Sequence, residues 1–143
     1  MTRAVFDDHL LRDLLADEAG GELVTLLTRH EPATTNLYYL RLCRSAVSAR
    51  GGSLTGSWPV ERRRELARSL VALPETIEIV PMRGLAFEMA ALVDAHPVST
   101  LGAEAVAAAM ELEAPLCVWA GDDGAGIRSA AASAGVTYLT VSR

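Results

Sequence analysis

The 143-residue chain carries 18 Asp+Glu against 13 basic residues, a formal net charge of -5, and half of its residues are hydrophobic. At that length, with 22% charged residues, it can bury one real core, which excludes a disordered polymer and points to a single domain over residues 1–143. All 13 basic residues are arginine, which excludes Schiff-base or general-base chemistry by a lysine amine.

No apolar run approaches the ~18 residues of a membrane span, and the first residues lack the apolar stretch of a secretion signal. A soluble, cytoplasmic protein with no membrane partner is expected. Cys43 and Cys117 are too few for a disulfide framework, match no paired metal-ligand spacing, and read as buried thiols.

In chain order, Ala4 to Phe6 reads as a strand, and Leu10, Leu11, Leu14 and Leu15 follow at helical spacing. Gly20-Gly21 stops that helix. A second short one over Leu23 to Leu27 ends near His30, since Pro32 forbids a continuous helix there. Thr34 or Thr35 can cap the next helix, whose Leu37, Leu40, Cys43, Ala46 and Val47 recur at three and four residues. Gly51 to Ser57 looks like a long flexible loop leading through Trp58-Pro59 into an Arg-rich helix from about Val60 to Leu73.

Thr76 to Val80 alternates and is β-branched, a strand closed by Pro81. A helix with Leu85, Met89, Leu92 and Val93 on one face ends at His96-Pro97, and an Ala-rich helix runs from Gly102 to Leu112. Leu116 to Trp119 reads as a buried strand, Gly121 to Gly126 as a turn, the stretch to Ala134 as a small-residue helix, and Val136 to Val141 as the last strand. Strands separated throughout by helices require crossover connections. The expected fold is therefore α/β, a three-layer α/β/α arrangement around a mainly parallel central sheet, with any site beyond the carboxyl ends of the strands.

The charge is unevenly placed. From Arg41 to Arg68 seven arginines face only Glu61 and Glu65, a local charge of +5 that leaves -10 for the rest. Such a block is either a solvated helix face or an electrostatic footprint for phosphates, with Arg41, Arg44, Arg62 and Arg63 as nucleic-acid candidates and Trp58 as a base-stacking candidate. Asp7-Asp8 and Asp122-Asp123 each end an apolar run, and these acids cluster if the two runs are adjacent parallel strands.

These residues, taken in order, resemble the PIN domain, a small α/β nuclease fold found in bacterial toxin-antitoxin pairs and RNA-processing enzymes. Val5-Phe6-Asp7-Asp8-His9-Leu10-Leu11 is similar to the family's opening Val-Val-Asp-x-Ser-x-Leu, with Asp7 at the first metal-binding acid. Pro32-Ala33-Thr34-Thr35 entering a helix, Ser99-Thr100-Leu101-Gly102-Ala103, Ala114-Pro115-Leu116 before a strand, and Gly135-Val136 before the last strand complete the resemblance over essentially the whole chain.

The resemblance implies carboxylates holding Mg²⁺ or Mn²⁺ for RNA hydrolysis, an antitoxin or other protein partner, and a homodimer. It also exposes two departures. The position where the helix after Thr35 should supply a Glu falls among Tyr38, Tyr39 and Leu40, with Arg41 next. Gly102 stands at the third acid, and Glu104, two residues on, lies roughly 200° round the helix.

Asp7 and Asp122 are thus the candidate metal ligands, and Asp7, Asp122, Asp123 and Glu104 the candidate catalytic acids. If Asp7 and Asp122 meet, they share either a cation or a proton. Asp7 is otherwise a helix cap and Asp8 a first-turn acid. His9 can bond Asp7, carry protons or fill space, and His30 and His96 stand alone at helix ends. Three readings remain: a PIN-like protein with a degenerate acidic site that binds RNA or a protein, a Mg²⁺- or Mn²⁺-dependent ribonuclease with a rearranged site, and a non-catalytic dimeric interaction protein.

Overall fold

The computed structural model describes residues 1–48 and 52–143; Gly51, named above, and Arg50, one of the seven arginines between Arg41 and Arg68, lie outside the described residues. The order is β1 (Thr2–Phe6), α1 (Asp8–Leu15), α2 (Gly21–Leu27), β2 (His30–Thr35), α3 (Asn36–Val47), α4 (Gly52–Thr55), α5 (Val60–Val71), β3 (Glu78–Val80), α6 (Ala86–Ala95), α7 (Thr100–Leu112), β4 (Leu116–Trp119), α8 (Ala125–Ser133) and β5 (Tyr138–Val141). The strands form one sheet in the order β3-β2-β1-β4-β5, and every pair is parallel. Helices cover both faces, which makes the three-layer α/β/α arrangement.

The alternation of β1 divides the core. Ala4 and Phe6 point to the face that packs Leu10, Leu23, Cys117 and Val141, while Val5 points to the other with Ala33, Leu116 and Val118. Helix α7 lies against that second face, wholly buried from Gly102 to Ala109. Its run of alanines lets its backbone approach the sheet closely. A third apolar group, Leu11, Leu42, Leu54, Leu66, Leu70 and Ile77, joins α1, α3, α4 and α5.

The helix starts follow their caps. Asp7 accepts from Leu10 N–H at 2.9 Å, Thr35 from Tyr38 N–H at 3.2 Å and Ser99 from Gly102 N–H at 3.1 Å. Strand β2 is the element the sequence hides, since His30, Glu31 and Pro32 break both apolar alternation and strand propensity. Pro32 is tolerated because β3 pairs only with Ala33 to Thr35, leaving one flank of the strand unpaired where the proline sits. His30, expected at a helix end, opens β2, its Nδ1 2.8 Å from Thr2 Oγ1.

The described part of the Gly51–Ser57 segment is not a free loop. Leu54 and Thr55 are buried in α4, and the buried Arg12 guanidinium donates to Leu54 C=O while pairing with Asp13 at 2.9 Å. Thr55 hydroxyl donates to Ser45 C=O at 2.9 Å. Strand β3 is shorter than the Thr76–Val80 expectation, and Cys43 is half-buried while Cys117 is buried.

Helix α8 comes close enough to the α6–α7 connection that a Cβ at Gly126 would stand 2.2 Å from Pro97 carbonyl oxygen. Gly126→Ala is therefore expected to lower stability by about 1–3 kcal/mol through forced displacement of backbone, measured as a lower urea midpoint. An unchanged midpoint would contradict this packing.

Candidate functional site

Strands β1 and β4 are neighbours, so the acids that follow them meet at the carboxyl edge of the sheet. Asp7 is 2% exposed and uses both oxygens: Oδ1 accepts from Leu10 N–H, and Oδ2 accepts from Trp119 N–H at 3.0 Å. Asp8 and His9 open α1 and are equally buried. His9 Nδ1 lies 2.5 Å from Asp122 Oδ2 and 3.4 Å from Asp8 Oδ1. Nε2 has no polar partner among the described residues. The His9 ring also rests against Trp119, 4.5 Å between centroids.

Helix α3 closes the pocket from the side. Capping by Thr35 turns Tyr38 and Arg41, one turn apart, toward the acids, and Arg41 Nη1 reaches Asp8 Oδ2 at 3.1 Å. The resulting cavity of about 170 Å³ is lined by Asp7, Asp8, Tyr38, Arg41, Gly102 and Asp122 among others. Ligand atoms of Asp7, Asp8, His9 and Asp122 all lie within 4.8 Å of one another, a set that could hold a metal ion. The fit is incomplete. Each Asp7 oxygen already accepts from a backbone donor, Arg41 places positive charge against Asp8, and His9 Nδ1 occupies one side of Asp122.

The electrostatics follow from burial. Loss of water is the main cause that pushes the Asp7 carboxyl up to about 7, with neighbouring Asp8 adding to it and the Leu10 and Trp119 N–H groups and His9 opposing. For His9, burial favours the neutral ring, yet Asp8, Asp122 and Asp7 together outweigh it and raise the imidazole above its ordinary value. Burial raises the Tyr38 phenol well above its usual range, so it stands in the pocket as a neutral hydroxyl.

Asp7 and Asp122 are therefore brought together, joined by Asp8 and His9. Glu104 and Asp123 are elsewhere. Glu104, fully buried, accepts from Leu37 N–H at 2.9 Å and Asn36 Nδ2 at 3.2 Å at the start of α3, while Gly102 faces the pocket. Asp123 is held on the surface by Arg128 at 2.7 Å and by the Tyr138 hydroxyl at 2.9 Å. Those two partners lower its pKa, the Arg128 bond most.

The basic block divides in the same way. Arg62 pairs with Glu18 and stacks on Trp58 with its guanidinium 3.8 Å from the ring centroid, and Arg63 donates to Ser48 C=O. The indole face proposed for bases is thus covered by an arginine. Arg41 and Arg44 instead line an open surface pocket of about 360 Å³ with Ser45, Ser48, Ser53 and Leu54. Sequence reasoning missed Arg41 as a partner of Asp8. The signal was its spacing of three from Tyr38, one of the three residues among which an acid was expected, which puts both on one helix face.

An α/β protein with an all-parallel five-stranded sheet and an acidic pocket at its carboxyl edge is the class that this geometry defines. The sequence matches no family profile and no curated protein. A chain in the solved structure of a toxin-antitoxin complex from Klebsiella pneumoniae is similar to it, with a TM-score of 0.59 and 20% identity, over 87% of this chain and 92% of that one. At that identity the likeness is one of fold.

The pocket dictates a pH dependence. His9, raised when folded, contributes stability that is complete below the ordinary imidazole pKa of ~6.5 and is lost as pH rises through its higher folded value. Asp7 also binds its proton more tightly when folded, so it adds a loss of stability between the ordinary carboxylate pKa of ~3.9 and about 7. Asp123, lowered, contributes a constant amount above the carboxylate range. The urea midpoint is expected to fall steadily from about pH 5 to about pH 8, and less so in His9→Gln; a midpoint that rises with pH would refute this account.

Proposed function

We propose that this chain is a PIN-like protein of toxin-antitoxin type whose acidic pocket is neutralised by its own Arg41 and His9, and that it acts by binding RNA beside that pocket rather than by efficient metal-dependent cleavage. The observation that carries the reading is the Arg41–Asp8 contact at 3.1 Å, which puts an arginine against an acid in a site where such a nuclease needs free carboxylates. The motif order along the chain and the fold shared with a chain of the Klebsiella complex support the PIN-like assignment, and that complex supports a protein partner of antitoxin type.

The RNA surface in this reading is the open pocket on α3. Arg41 and Arg44 stand one turn apart, and Arg44 pairs with no acid among the described residues. Guanidinium groups so placed offer planar, two-pronged donors that suit phosphate oxygens. Ser53 adds a hydroxyl at the same rim.

A second reading, a ribonuclease using Mg²⁺ or Mn²⁺, is favoured by the 4.8 Å grouping of Asp7, Asp8, His9 and Asp122. It requires Arg41 to release Asp8, while each Asp7 oxygen keeps a lone pair beside its backbone donor.

Two measurements separate the readings. Calorimetric titration with Mn²⁺ should show weak uptake by the unaltered protein and about tenfold tighter uptake by Arg41→Ala, because a cation beside the carboxylates has been removed. Single-stranded RNA in EDTA should bind with an affinity that falls with salt at a slope of about -0.7 per neutralised phosphate, and Arg44→Glu should weaken it about tenfold. Mn²⁺-dependent RNA cleavage by the unaltered protein, abolished in Asp7→Asn, would overturn the proposal.

A further inference from the structure

Two cavities meet at Arg41. It lines the open basic pocket with Arg44 and Ser53, and it also lines the smaller acidic cavity of about 170 Å³. At that size, below the ~300–1,000 Å³ of ordinary ligand pockets, the acidic cavity has room for one flat ring system and no more. Its walls are apolar, with Val118 from β4, Leu101 from α7 and Ile127 from α8, and Gly102 adds bare backbone.

The polar groups of the cavity have an order. Arg41 Nη1 stands 3.1 Å from Asp8 Oδ2, and His9 Nδ1 links Asp8 Oδ1 at 3.4 Å to Asp122 Oδ2 at 2.5 Å, so a donor, an acceptor and a second acceptor follow one another. Asp122 Oδ1 has no protein partner among the described residues. Tyr38, only 4% exposed, brings into the same cavity a hydroxyl that has no hydrogen-bond partner among them either. Such a hydroxyl costs stability until a ligand supplies its partner.

The order selects a chemistry. An anion would meet Asp8 and Asp122 and a cation would meet Arg41, whereas a neutral group whose edge reads acceptor, donor, donor matches all three. Of the four RNA bases only guanine has that edge, since O6 accepts while N1–H and the N2 amino group donate. Adenine offers N1 and N6 alone, and uracil turns an acceptor toward the second acid.

We propose that the acidic cavity is a pocket for an unpaired guanine base of RNA, with O6 on Arg41, N1–H on Asp8, the N2 amino group on Asp122 and the Tyr38 hydroxyl at the ring. This rests on the reading that α3 binds RNA and gives that RNA a sequence preference. A base seated there keeps its phosphate on the Arg44 side, because the two cavities share Arg41.

Fluorescence anisotropy in EDTA tests the pocket with uridine heptamers that carry one central guanosine, inosine or adenosine, inosine lacking only the N2 amino group. Circular dichroism controls for folding of each variant. The guanosine heptamer should bind about tenfold tighter than the other two. Asp122→Ala should erase that preference, Tyr38→Phe should weaken the guanosine heptamer about fivefold, and Arg44→Glu should weaken all three alike. Equal affinity for the three heptamers would overturn the guanine pocket and leave RNA binding by α3 standing, and a guanosine preference that survives both Asp122→Ala and Tyr38→Phe would overturn it as well. If no heptamer binds, the RNA reading falls, and calorimetric titration with guanosine alone decides the pocket: uptake that inosine does not share supports it, and no uptake overturns it.

Discussion

The Asp7 carboxylate is the joint on which the rest of the molecule turns. It follows the central strand β1, accepts the Leu10 N–H that starts α1, and accepts the Trp119 N–H at the end of β4. One side chain therefore fixes where the middle strand ends, where the first helix begins and how the neighbouring strand leaves the sheet. Its two oxygens satisfy backbone donors that would otherwise be orphaned in the interior. The cost is a buried carboxyl whose proton is held to about pH 7.

The arrangement of the other charges follows from that position. With α1 started at Asp7, Asp8 and His9 are carried inward, and they need partners in a place water barely reaches. Arg41 answers Asp8 from α3, and Asp122 answers His9 from the turn after β4. One of the buried acids, Asp8, is thereby offset by an arginine of the protein itself. The wider basic segment is dispersed by its own contacts: Arg62 is engaged by Glu18 and Trp58, Arg63 by a backbone carbonyl, and Arg64 by Glu61.

Much of the fold was legible because its signals are local. The β-branched or apolar runs at β1, β4 and β5 and a cap at Thr34 or Thr35 identify themselves by composition and spacing, whereas α7 begins at Thr100 under a Ser99 cap, earlier than the Gly102 start its alanines suggest. Strand β2 was not legible, because its place depends on pairing with β1 and not on its own residues. The site divides along the same line. The meeting of Asp7 with Asp122 follows from two acids ending adjacent strands, and the aim of Glu104 away from the pocket from two steps of helix rotation. The pairing of Arg41 with Asp8 joins residues 33 apart in sequence through the angle between α1 and α3, which no periodicity reports. Likewise, nothing in the glycine-rich stretch announces that Arg12 reaches across to hold Leu54.

That buried arginine also limits how the chain can drift. Arg12 and Asp13 are consecutive, both almost wholly enclosed, and between them they engage Leu54, Trp58 and Arg143. Losing Asp13 alone strands the Arg12 charge in the interior, a penalty of about 3–5 kcal/mol and a large share of what a domain of this size has to spare, while losing Arg12 alone leaves Asp13 with Arg143 as its one cationic partner among the described residues. Losing both together is far milder. Descendants of this sequence should therefore keep the pair or abandon it jointly, with α4 and Trp58 released in the same event, so that an apparently loose surface segment inherits its fate from two neighbouring codons forty residues earlier.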